Sequence, residues 1–186
     1  DEQMRLRAEL GWMVLEAWRH IPGLEAGAQI LLESTLDNGL GPITPAVIGK
    51  VDSDALNAWI AQARKLAAES DRAGVADSRI GQILAYAPAD ADGLWPCGPV
   101  RAAIEATASR EIERGVAFGV LTRRGAHFLH SDGSQDARLA AQFRAWCERV
   151  RVAQPRTGKV LRELAELYER DSKNEIARGR LEEFDR

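Results

Sequence analysis

Four groups of residues in this chain are of types that do chemistry: His127 with His130, Cys97 with Cys147, the acidic turn Asp90–Gly93, and the arginines Arg110, Arg114, Arg123 and Arg124. Zinc is the first chemistry to weigh. A Cys/His zinc site needs four converging ligands, usually in close sequence pairs. The two histidines are three residues apart and the two cysteines are fifty apart. The stretch that holds the histidines, VAFGVLTRRGAHFLHSDG (116–133), alternates as a β-hairpin does, with Arg123-Arg124-Gly125 as its turn. In a strand, residues i and i+3 point to opposite faces, so the imidazoles diverge and no metal is expected. Calcium fails as well. A calcium loop starting at Asp90 needs an acidic or amide residue at its fifth position and Glu at its twelfth. Those positions hold Leu94 and Arg101, and an Asp/Gly turn accounts for DADG.

Cys97, next to Trp95-Pro96, is the candidate nucleophile, with His127 and the polar loop 69–79 as its companions. A lone Cys with scattered histidines lacks a recognisable base, and free Cys is most often a buried core residue. No serine sits in a G-x-S-x-G setting, and GVADSRIGQ lacks the G-K-[ST] of a phosphate loop. Glu111 and Glu113, like Asp90 and Asp92, are two apart, and on a helix that spacing aims the carboxylates away from each other. The expectation is therefore no catalytic residues, no cofactor and no enzyme.

The arginines remain. On a hairpin tip, Arg110, Arg114, Arg123 and Arg124 would suit a phosphate or carboxylate partner, whether nucleic acid or an acidic protein. Glu105, Glu111 and Glu113 are interleaved with them and weaken the local field.

The elements that must position these residues are mostly helices. With 186 residues, 45% of them hydrophobic, and five Trp, the chain has the material for a core without disulfides. A net charge of −3 argues against a general polyanion binder. Two widely spaced cysteines read as reduced, which points to the cytoplasm. No run of eighteen apolar residues exists, so no membrane partner is expected. The charged start, DEQMRLRAEL, lacks the apolar stretch of a secretory leader.

A first helix is expected from Glu2 to His20, apolar on most of its circumference and ended by Pro22-Gly23. A weaker helix over 24–36 and a Gly/Pro-rich connection over 38–51 follow. Asp52 or Ser53 then caps a helix to about Glu69, with Leu56, Trp59, Ile60 and Ala63 on one face. Asp77 caps a short helix ended by Pro88. The segment APADADGLWPCGP runs over the surface, anchored by Trp95. A helix from Pro99 buries Val100, Ala103, Ile104, Ala108 and Ile112 and ends at Gly115 as C-cap. After the hairpin come a helix bearing Leu139, Phe143, Trp146 and Val150, then a last helix from Pro155. Beyond Tyr168 the apolar stripe fades into i,i+4 pairs such as Glu169–Lys173.

The stretches ADSRIGQILAYAPADADGLWPCGPVR, REIERGVAFGVLTRRGAHF and PRTGKVLRELAELYERDSKNE are similar to the C-terminal portion of long, uncharacterised bacterial proteins. The likeness spans about two-thirds of the chain. It carries no activity and no site residues with it, and it implies a bacterial source and a place within a longer polypeptide. A start at Asp1, without an initiator Met, is expected of such a piece.

The expected fold is mainly α, a bundle of about six to seven helices with one small β-hairpin near residues 116–130. Residues 1–170 form a single domain and 171–186 a charged helical tail. The expected function is a non-catalytic interaction or scaffolding module of a larger bacterial protein or complex. Its partners are other domains or protein subunits, and the alternative is nucleic-acid binding through the arginine cluster.

Overall fold

A computed structural model of the chain describes residues 51–69, 71–123 and 133–184. The elements expected before residue 51 lie outside that set. The described residues form six helices and no strand, and none of the helices is long and apolar enough to cross a membrane. The chain divides into two compact units, Asp1–Gly125 and Ala126–Arg186. The boundary expected at residue 170 lies within the last helix.

Unit 1 opens with α1 (Ser53–Glu69), capped as its sequence implies: Asp52 Oδ1 accepts the Ala55 N–H at 2.8 Å. Leu56, Trp59, Ile60, Ala63 and Ala67 recur at helical spacing and are buried. The helix closes on Asp71, at φ 54°, with Arg72 N–H donating to Ala67 O at 2.8 Å. That is a left-handed closure of a kind Asp tolerates through its short polar side chain. α2 (Ala73–Leu84) follows directly. It starts five residues earlier than the sequence suggests, so Asp77 is inside the helix rather than its cap. The carboxylate instead faces α1 as a buried partner for Arg64.

α3 (Gly98–Thr107) and α4 (Arg110–Arg123) replace the single helix expected from Pro99 to Gly115. Ala108, at φ 51°, breaks the chain, and Ser109 restarts it by accepting the Ile112 N–H on its hydroxyl. Gly115 is consequently an interior residue of α4, not a C-cap. Its reason is a close crossing with α2. A Cβ on Gly115 would lie 2.2 Å from Ser78 O, and one on Gly81 would lie 2.2 Å from Ile112 O. The two backbones touch where side chains are missing, and Gly119 continues the contact against Ala85.

The same crossing overturns the hairpin. Val116–Thr122, the expected first strand, and Arg123 of the expected turn form the second half of α4. Val116, Gly119 and Val120 are buried and Phe118 and Thr122 exposed, which is a helical pattern. Short apolar runs fit either period, and the glycines that resembled turn residues are contact points on α2. The rest of the expected hairpin, with Arg124, His127 and His130, lies outside the described residues.

Unit 2 is an antiparallel pair, α5 (Ser134–Val150) and α6 (Pro155–Phe184), joined by residues 151–154. Phe143 stacks on Tyr168 at 5.5 Å and meets Trp146 edge-on at 5.4 Å. Val150, Val160, Leu161 and Leu164 complete the seam. At one end Ser172 Oγ donates to Gly133 O at 2.8 Å, so α6 stays packed on the start of α5 past residue 170.

Candidate functional site

The best-built polar cluster of unit 1 is the connection between α2 and α3. The expectation that it runs over the surface is corrected by its burial. Ala87, Pro88, Ala89 and Leu94 to Cys97 are buried, and only Ala91, Asp92 and Gly93 are exposed. A buried loop must satisfy its own backbone, and this one does. Asp90 N–H donates to Leu94 O, Gly93 N–H to Asp90 O and Cys97 N–H to Pro88 O, all at 2.9 Å. Trp95 Nε1 donates to Ala87 O at 2.8 Å, which makes it the anchor that the sequence suggests. The Trp95–Pro96 peptide is cis.

Asp90 and Arg101 hold this loop to α3. Asp90 Oδ1 accepts the Gly98 N–H at 3.0 Å, at the orphan end of the helix, and Oδ2 pairs with Arg101 Nη1 at 2.8 Å. The same Nη1 donates to Pro96 O. Asp92 Oδ1 accepts the Leu94 N–H at 3.1 Å, the Asp/Gly turn expected of DADG. These carboxylates are engaged with the protein's own backbone. Cys97 stands just ahead of α3, 2% exposed. Burial pushes its thiol above the ordinary value of 9.0, and Asp90 adds to the rise. The Val100 N–H and Arg101 oppose it without reversing it. A buried thiol held protonated at neutral pH is a poor nucleophile. Cys147 is also buried and its thiol also raised, again chiefly by burial, and its S–H donates to Gly158 O.

A second engaged pair ties α1 to α2. Arg64 Nη2 donates to Asp77 Oδ2 at 3.3 Å, while Arg64 Nε lies 3.0 Å from Oδ1, off the hydrogen-bond axis. Among the described residues no group of three His, Cys, Asp or Glu side chains is arranged to hold a metal ion.

The arginines fall differently from the expectation. Arg110 and Arg114 are exposed, one turn apart on α4, and Arg114 lies 3.6 Å from Glu111. Arg123 is the last residue of α4, nine positions beyond Arg114. At 100° and 1.5 Å per residue, its backbone position is about 14 Å along the axis and half a turn round. Among the described residues, no shared tip gathers Arg110, Arg114 and Arg123. What the sequence reading missed is Phe118. It is 54% exposed, four residues past Arg114 on the same outward ridge. Its signal was present as the i,i+4 spacing of Arg110, Arg114 and Phe118, hidden by reading the segment as a strand.

Comparison with protein-family models, with curated proteins and with solved structures returns no match to this chain.

Proposed function

We propose that the chain is a non-catalytic helical module that positions parts of a larger bacterial protein or complex, and that it does so by docking an acidic protein surface on the outer ridge of α4. The observation that carries this reading is Phe118, half-exposed beside Arg110 and Arg114 on a helix whose inner face is fixed by backbone contact with α2. Aromatic residues and Arg are the types enriched where binding energy concentrates, and a rigid helix presents them with little ordering cost. The engagement of Asp90, Arg101 and Asp77 in holding the fold supports the non-catalytic half of the reading.

The test is a photo-crosslinking residue placed at Phe118 of the full-length protein in its bacterial host, with Ala58 and Ala106 as exposed controls on α1 and α3. A discrete crosslinked product from position 118 that disappears in Arg110→Glu/Arg114→Glu supports the proposal. Equal crosslinking from all three positions, or none from position 118, contradicts the docking ridge. Turnover of an ester or nucleotide substrate by the purified chain contradicts the non-catalytic reading.

A further inference from the structure

The chain is net acidic, yet residues 144–162 hold six cations (Arg144, Arg149, Arg151, Arg156, Lys159, Arg162) and one carboxylate, Glu148. They occupy the last two turns of α5, the connection and the first two turns of α6, so the helical hairpin brings them to one end of unit 2. Arg144, Arg149, Arg151 and Arg162 are exposed. Cys147 Sγ donates to Gly158 O and the Arg151 backbone lies against Gly158, so Arg144 and Arg151, each within four residues of Cys147, and Arg162, four residues past Gly158, belong to the same end of the hairpin. Arg151 pairs with Glu148 at 2.7 Å, Arg144 with Glu169 across the hairpin, and Lys159 lies 4.0 Å from Glu163. Such exposed pairs are weak and give way to a stronger anion.

Five of the six cations are Arg rather than Lys, and the guanidinium fork matches phosphate oxygens in pairs. The apex separates the classes of polyanion. Val152 is 85% exposed, and Ala153 and Pro155 are exposed beside it. These side chains are small. Lying on a bilayer needs buried apolar area from residues such as Trp, Phe or Leu, which this apex lacks.

We propose that this end of unit 2 binds the phosphate backbone of a nucleic acid, without reading its base sequence. The contact is cation to phosphate, with the apex fitting against the strand and no element shaped to enter a groove.

The experiment titrates the full chain against a short labelled DNA duplex of mixed sequence, read by fluorescence anisotropy from low to physiological salt. The expected result is binding that falls with salt at a log–log slope of about −3, as for three neutralised phosphates. Arg151→Glu/Arg162→Glu lowers affinity by about tenfold or more and cuts the slope by about two. Arg138→Glu/Lys173→Glu makes the same charge change toward the opposite end of unit 2, where Ser172 meets Gly133, and leaves affinity within about twofold. Circular dichroism accompanies each variant, and Arg151→Gln/Arg162→Gln replaces the reversal if helicity is lost. Absence of binding at low salt overturns the proposal, as does binding insensitive to salt or to the turn variants. Binding to vesicles of phosphatidylserine and phosphatidylcholine without duplex binding overturns it in favour of a membrane surface.

Discussion

At the scale of single residues, the side chains with the most chemical potential are tied to the backbone. Asp90 is the clearest case, because one carboxylate serves both the free N–H of Gly98 and the guanidinium of Arg101. Arg101→Met keeps the length and removes the charge. It leaves Asp90 and Pro96 O short of a donor, and is expected to lower stability by about 2 kcal/mol in urea denaturation. Burial of Cys97 sets a pH limit on that stability. The folded state holds the thiol protonated above its ordinary value of 9.0. Below that pH both states are protonated and the contribution is intact. Above it the unfolded chain releases the proton first, so stability falls as pH rises toward the raised folded value. Cys97→Ala should flatten the alkaline limb of a stability–pH profile. Much of this was legible: the Asp92 turn, the Trp95 anchor and the buried cysteines follow from residue type. The Asp90–Arg101 pair was not, because the two are eleven positions apart with an irregular loop between Asp90 and the helix, which gives no periodicity by which to match a carboxylate with its guanidinium.

At the scale of elements, α2 and α4 meet backbone to backbone, and their glycines decide whether they can. Gly81→Ala puts a methyl group 2.2 Å from Ile112 O, a backbone atom unable to swing aside. It should cost about 2–3 kcal/mol and show as a lowered urea midpoint. Gly74→Ala, on the same helix, meets nothing closer than 3.9 Å. It should be neutral or stabilising by up to about 1 kcal/mol, as expected of an unstrained helical Gly. This crossing also explains where the sequence misled. α1, α5 and the start of α6 carry long 3.6-residue stripes, with a side-chain cap on α1, and were readable. The run VAFGVLT is too short to separate helical from strand period, and only its partner α2 chooses between them. Glu169 shows the same limit, since its partner is Arg144 on α5 rather than the Lys173 one turn away.

At the scale of the whole molecule, two helical units carry different outward chemistry. Unit 1 offers an aromatic and arginine ridge on α4, and unit 2 a cationic turn, while the sequence-wide charge averages both away. Composition therefore argued against a polyanion partner, where the local count from 144 to 162 argues for one. If the buried loop of unit 1 is scaffold rather than reactive centre, Cys97 is the residue that shows it. Its labelling by an excess of a thiol reagent, followed by peptide mass spectrometry of the native protein at neutral pH, is the direct measurement. Cys97 should react only as fast as unit 1 unfolds, and Gly81→Ala, which destabilises the helices without touching the thiol, should speed the reaction. Rapid labelling of Cys97 in the stable native state, unchanged by Gly81→Ala, would mean an exposed and activated nucleophile and would contradict the account.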